Sequence, residues 1–229
     1  MRAYVSQVIE PEECASLTND ELFARIEQGL YVDEAVADGP FRSGKRAEYL
    51  ERAIYVCPFC GLSEFESHGA EVSCKTCGRK VIYGEDKTLT GQGFAFPFRF
   101  VKEWYDYQQA YVNGLDLTAM TEQPAYRDSA RMSEVILNKR KQLLRPDAKL
   151  CLYGDRVVVD EGTPEQHTFP FAEVTAATVM GRNKLNIYHD KKAYQFKGSK
   201  RFNALKYVNF YYRYKNQIRG NQDGKFLGL

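Results

Sequence analysis

Histidine is scarce in this chain, and net charge is almost absent. Three histidines in 229 residues, at positions 68, 167 and 189, leave little material for a histidine-based acid–base site. A formal charge of +2 lacks the basic excess of a dedicated nucleic-acid-binding domain. No run approaches the ~18 consecutive apolar residues of a membrane-spanning helix. The opening "MRAYVSQVIEPEECASL" has no apolar core of the kind a signal peptide needs. No Gly-rich phosphate loop of the Walker or dinucleotide type occurs. These absences predict a soluble, cytoplasmic chain with reduced cysteines and no catalytic constellation. The remainder is ordinary for a globular protein, 44% hydrophobic and 27% charged, and long enough for one large domain or two small ones.

Cysteine is also sparse, yet four of the six fall within "CPFCGLSEFESHGAEVSCKTCG", residues 57–78. Two Cys-x-x-Cys-Gly units stand thirteen residues apart. In a reducing compartment, closely paired cysteines are metal ligands more often than disulfides. Thiolates are soft donors, and four of them at the corners of a tetrahedron suit Zn2+. Cys57, Cys60, Cys74 and Cys77 are therefore the expected ligands of one zinc ion, with a short hairpin bringing the two pairs together. Gly61 and Gly78 follow the second cysteine of each pair, where the backbone must curl around the metal. The competing reading is a redox dithiol, but such motifs rarely come as a matched double. Four protein sulfurs leave no position for substrate or water, so the metal is structural: it holds a segment too small to bury a core. His68 lies inside the hairpin, but four cysteines already fill the site. His189, in "YHDKKAY", belongs to a hairpin turn. Nothing near Cys14 or Cys151 in sequence would lower a thiol pKa, so both read as structural.

The chain divides into four stretches. Residues 1–56 read as a strand ("AYVSQVI") and helices that dock onto another surface, with a linker. Thr18 and Glu21 form a capping-box pattern, and Leu22, Ile26 and Leu30 share one helix face. Residues 57–95 are the four-cysteine ribbon. Residues 96–124 hold an aromatic helix and linker, with Phe100, Trp104, Tyr107 and Tyr111 at helical spacing, Gly114 at its end, and a polar, irregular run over 115–130. In 125–229, strands are expected at "MSEVILNKRKQ", "AKLCLYG", "RVVVDEG", "HTFPFAEV", "AATVMGR", "KLNIYHD" and "AYQFKGS". A helix, "SKRFNALKYVNFYYRYKNQI", comes next, capped by Ser199, with Phe202, Leu205, Val208 or Asn209, and Tyr212 along one side. The fold class is α+β. Seven short strands closed by a C-terminal helix resemble a pleckstrin-homology-like β-barrel, a superfold whose members bind phosphoinositides, peptides or neighbouring domains.

The order "SQVIEPEE…LTNDELFARIEQGLYVDEA…KRAEYLERAIYVCPFCG", continued by "FRFVKEWYDYQQAYV" with Val101, Trp104 and Gln108, resembles the C-terminal extension of certain bacterial 1-acyl-sn-glycerol-3-phosphate acyltransferases. The resemblance covers nearly the whole chain and implies a region lying behind a catalytic domain. The catalytic His-x-x-x-x-Asp of that family is missing: His68, His167 and His189 meet Ser73, Ala172 and Tyr194 at the needed spacing. Glu161-Gly162-Thr163 echoes the family's Glu-Gly-Thr-Arg-Ser phosphate grip, but Pro164 replaces the arginine. The resemblance thus implies an acyltransferase-associated protein without the active site, involved in phospholipid synthesis.

Arg182, Lys184, Lys191, Lys192, Lys197, Lys200 and Arg201 crowd twenty residues, and the "GRNK" turn is expected to approach the strand end leading into "GSKR". The plain reading is a solvated face. The sharper one is contact with an anionic membrane, peripheral to its inner face. Two functions stand: an accessory module docking to an acyltransferase or a membrane, and a zinc-ribbon adaptor binding a protein complex or nucleic acid. The small net charge weighs against nucleic acid.

Overall fold

A computed structural model describes residues 5, 7–31, 39–137 and 140–220, in two compact units spanning 1–39 and 40–229. The first unit contains helices α1 (Pro11–Ser16) and α2 (Asn19–Leu30). The Thr18 hydroxyl accepts from the Glu21 N–H, and the Glu21 carboxylate accepts from the Thr18 N–H, so the capping box forms as the sequence predicts. Phe23, Ile26, Leu30 and Tyr31 are exposed. Val5 and residues 7–9 are in no strand, and the rest of the strand expected there lies outside the described residues.

The second unit begins with β1 (Val56–Cys57) paired to β2 (Gly61–Leu62). A four-stranded meander comes next: β3 (Phe65–His68), β4 (Glu71–Cys74), β5 (Lys80–Tyr83) and β6 (Leu89–Gly91). Helix α3 (Val101–Asn113) begins where the Glu103 carboxylate accepts from the Arg99 and Phe100 N–H groups, 2.6 and 3.1 Å. It ends at Gly114. Its buried stripe is Trp104, Gln108 and Val112, a row of i, i+4 and i+8. Tyr107 and Tyr111 are only partly buried, and Phe100 precedes the helix. The expected aromatic stripe missed this face because its centre is a glutamine.

That glutamine joins the ribbon to the rest. Gln108 Oε1 accepts from the Tyr55 and Val56 N–H groups (2.7 and 3.2 Å), and Nε2 donates to Ala53 O (2.9 Å). Trp104 Nε1 donates to Val56 O (2.8 Å) and Tyr126 Oη to Tyr55 O (2.7 Å). The chain is thus pinned just before the first cysteine.

Residues 126–198 form one antiparallel sheet of seven strands, curled into a half-barrel. The strands are β7 (Tyr126–Leu137), β8 (Arg140–Leu152), β9 (Arg156–Val159), β10 (His167–Pro170), β11 (Ala176–Val179), β12 (Lys184–His189) and β13 (Lys192–Gly198). Their order is β10-β9-β8-β7-β13-β12-β11. A four-strand and a three-strand meander therefore meet where the first strand pairs with the last. The strand expected over 132–142 is the far half of one long strand and the start of the next; β7 reaches back into the run read as linker. Register shifts at Ala130/Met132, Met132/Ser133 and Val135/Leu137 bend this hairpin. Along β13, Tyr194 and Phe196 join the core, while Lys197 shares the opposite face with Gln195 and is exposed.

Helix α4 (Leu205–Ile218) closes the half-barrel and starts later than Ser199. Ser199 Oγ instead accepts from Arg201 N in a preceding turn, and Asn203 Oδ1 accepts from Lys206 N (3.1 Å each). Eight residues of α4 are buried, Lys206 and Arg213 among them, because α3 and the strands flank it. Lys206 Nζ pairs with Asp128 (2.7 Å) and lies over the Tyr126 ring. No helix among the described residues is long and apolar enough to cross a membrane.

A charged clasp joins the β13–α4 connection to the ribbon. Arg201 bonds the buried Glu51 carboxylate, Glu48 (2.9 Å) and Ser67 O (2.6 Å), while Ser67 Oγ donates to Glu51. Arg201→Met is expected to lower the unfolding free energy by about 2 kcal/mol, because Glu51 loses a charge-assisted partner. Glu51→Gln with Arg201→Met should recover part of the loss; urea denaturation of both variants measures it, and equal losses would show no coupling.

Candidate metal centre

The sulfurs of Cys57, Cys60, Cys74 and Cys77 all lie within 4.8 Å of one another and can hold a metal ion. Cys57 sits in β1 and Cys74 ends β4, while Cys60 and Cys77 lie on the two loops that each Cys-x-x-Cys creates. The Cys57–Cys77 and Cys60–Cys74 sulfurs are 3.8 and 3.6 Å apart. Metal–sulfur bonds of about 2.3 Å in a tetrahedron demand sulfur–sulfur edges of about 3.8 Å, so the cage has the right size. Gly61 and Gly78 have φ of +79° and +71°, the left-handed conformation that lets each loop fold back on its sulfurs. At Gly61 a Cβ would also lie 2.5 Å from Tyr111 Oη on α3. The sequence expectation about these two glycines is met in both.

The surroundings act on the sulfurs unequally. Backbone hydrogen bonds from Phe59 and Cys60 reach Cys57, and Arg79 supplies backbone and side-chain bonds to Cys77. Ser63 Oγ is 3.0 Å from Cys74 Sγ. Burial opposes ionisation of Cys77, yet the bonds from Arg79 and from the Cys74 and Cys57 thiols outweigh it and bring it down to about 6. Burial holds Cys57 up at about 11, and burial with bonds to Cys57 and Cys74 raises Cys60. Four thiolates this close repel one another, so a cage this tight ionises fully only around a cation. The donor set is all sulfur, which selects a soft or borderline metal over calcium or magnesium.

The cage is closed by an aromatic group. The Phe59 ring meets Phe94 edge-on (5.3 Å) and lies beneath the Arg79 guanidinium (4.4 Å). Phe96 packs edge-on to Trp104 (5.0 Å), carrying this packing to α3. Little in the sequence marks the role of Phe94, at the end of the stretch read as ribbon, or of Phe96 and Phe98, at the start of the stretch read as aromatic helix and linker.

The remaining candidates scatter. His68 contacts Glu66 through Nε2 (3.1 Å) and faces Arg201 through Nδ1 (3.2 Å), outside the cage. His189 contacts Glu173 (3.3 Å). Cys14 is exposed; Cys151 is buried, with Arg127 Nη1 on its sulfur (3.0 Å), and burial raises its pKa. Of the seven basic residues between 182 and 201, Lys184 and Lys197 pair across β12 and β13, and Asn183 Nδ2 donates to Gly198 O and Ser199 O (2.8 and 2.9 Å), so the two segments do approach. Lys191 and Lys192 lie at the other end of that hairpin, with Lys192 on Glu134 (3.3 Å). Arg182 and Lys200 are exposed in turns, and Arg201 belongs to the clasp. The chain matches no protein-family model and no curated protein.

His167 lies at the mouth of the half-barrel, in a cavity of about 440 Å³ shared with Glu134, Arg145, Glu165, Lys192 and Tyr194. Among the described residues, its buried Nε2 meets no hydrogen-bond partner. Burial, then the His189, Arg145 and Lys192 charges, lower its pKa from the usual value. The unfolded chain therefore binds a proton here more readily than the folded one, and stability falls as pH drops below about 6.5. His167→Gln is expected to flatten the fall in urea midpoint between about pH 7 and pH 5.5. An unchanged slope would remove His167 from the titration.

Proposed function

We propose that residues 57–95 are a structural zinc ribbon, that residues 125–229 are a pleckstrin-homology-like barrel, and that together they form a non-catalytic region associated with a 1-acyl-sn-glycerol-3-phosphate acyltransferase. The ribbon docks the barrel to the enzyme, at the cytoplasmic side of its membrane. Cys57, Cys60, Cys74 and Cys77 would hold the ion, which supplies charge to keep four thiolates together and no open position for substrate. The barrel reading is supported by the two meanders joined through first and last strands, with a C-terminal helix across one end.

The observation that carries the acyltransferase reading is where Trp104 and Gln108 sit. Both belong to the pattern that resembles the acyltransferase extension, and both bond the backbone leading into Cys57. A pattern shared for that reason marks a ribbon built to be held at a fixed angle to the barrel. The pull-down of the tagged chain from membrane and cytosolic fractions of its own cells tests the association, with an acyltransferase expected in the captured material. Its absence from both fractions would overturn it.

Elemental analysis should find about one zinc per chain, since a closed four-sulfur site takes one ion. Cys60→Ser should lose that zinc and lower the melting temperature of the second unit as one transition, because the cage shares bonds with α3 and β7. A metal-free chain with an unchanged melting temperature would contradict the zinc reading. The purified chain is expected to turn over no lysophosphatidic acid with an acyl donor.

A further inference from the structure

The antiparallel register sets three cations side by side on the outer face of the half-barrel. Arg131 on β7 stands opposite Lys197 on β13, which stands opposite Lys184 on β12. Like charges directly opposite on one face of a sheet repel. Among the described residues, none of the three has a carboxylate within ion-pair distance, whereas Lys192, Arg145 and Lys206 elsewhere in the barrel are paired to Glu134, Glu165 and Asp128. Lys141 on β8 extends the row, its Nζ bonded only to the neutral Gln195 Oε1 (2.5 Å). These four cations line a cavity of about 320 Å³ that no carboxylate lines.

Apolar side chains stand exposed around it. Leu143, which lines the cavity, is 51% exposed. Met180, 49% exposed, lies against Gln195, whose Nε2 is 3.4 Å from its sulfur. We propose that this face, Arg131, Lys141, Lys184 and Lys197 rimmed by Leu143 and Met180, rests on the surface of an anionic lipid bilayer. Headgroup phosphates supply the counter-charge that the row lacks, and the apolar rim enters the headgroup boundary. A nucleic acid would leave the apolar rim in water and find no aromatic ring to stack on in this cavity. A free phosphate would use the cations and not the rim. The inference stands apart from the acyltransferase association and fails or survives separately from it.

The test is co-sedimentation of the full chain with phosphatidylcholine vesicles, with and without phosphatidylglycerol, at low and physiological salt. Binding is expected only with phosphatidylglycerol and weaker at higher salt. Lys184→Glu with Lys197→Glu should weaken it about tenfold or more, since each cation near such a surface contributes about a factor of five. Leu143→Ser with Met180→Ser should weaken it severalfold without changing the salt dependence. Lys75→Glu with Lys80→Glu, an equal charge change on the ribbon, serves as the control and should fall much less; near-ultraviolet circular dichroism checks that each variant is folded. Four outcomes would each overturn the proposal: no binding at low salt, equal binding to neutral vesicles, an equal loss in the control, or displacement by inorganic phosphate with the Leu143 and Met180 variant unaffected. Tighter binding to a single-stranded oligonucleotide than to vesicles would replace it with a nucleic-acid surface.

Discussion

The side chain of Gln108 is the point on which the second unit turns. It is fully buried, and an amide has both an acceptor and donors, so its burial is tolerable only with both ends bonded. The backbone of Ala53, Tyr55 and Val56 provides those bonds, and no apolar residue could take the same position without orphaning two buried N–H groups. Everything nearby is then determined. Trp104 stands one turn earlier and caps Val56 O. Tyr55 is driven inward, where Asn209 of α4 donates to its hydroxyl (2.6 Å). The four-cysteine cage starts from a backbone already held on three sides.

This joint explains why ribbon and barrel share a unit although the sequence reads as separate stretches. Local signals describe elements one at a time: Cys-x-x-Cys-Gly spacing, alternation along β12 and β13, the capping box at Thr18. Each of these was legible, because each is decided by residues within a few positions of one another. The contacts that join the pieces were not, since Gln108 and Arg201 act across 53 and 150 positions in the chain. In a linear reading a glutamine between two tyrosines is a polar interruption. Likewise the β7–β8 hairpin defeated the period-two signal: its register shifts break the alternation, and the sequence "LNKRKQ" resembles loop and strand equally.

Charge tells the same story at a different scale. The basic run from 182 to 201 is contiguous in sequence, but the fold divides it among a clasp, an ion pair at the barrel mouth and an outer row. Arg131 and Lys141 join that row from a distant part of the chain. A net charge of +2 conceals this, because it sums over a chain whose first 39 residues hold nine acidic residues against two arginines. Clusters of one sign are made by register, and only the paired strands reveal them.

The half-barrel has two free edges, β10 and β11, and they are consecutive in the chain, separated only by residues 171–175. No strand pairing seals the gap between them. Tyr211 of α4 does so instead, its hydroxyl placed at Val174 O and Thr175 O (3.0 and 2.8 Å), while Phe171 packs edge-on to the same ring (5.7 Å). Lys215 Nζ donates to Ala172 O (3.0 Å) beside it, so side chains of α4 reach the backbone of this connection at three carbonyls. The backbone N–H groups of Phe171, Glu173, Val174 and Thr175 are themselves bonded, to Asp155 O, Pro170 O, Pro170 O and Tyr188 O, so the two free edges are tied through a connection whose polar groups are already satisfied rather than left open as a template for another strand.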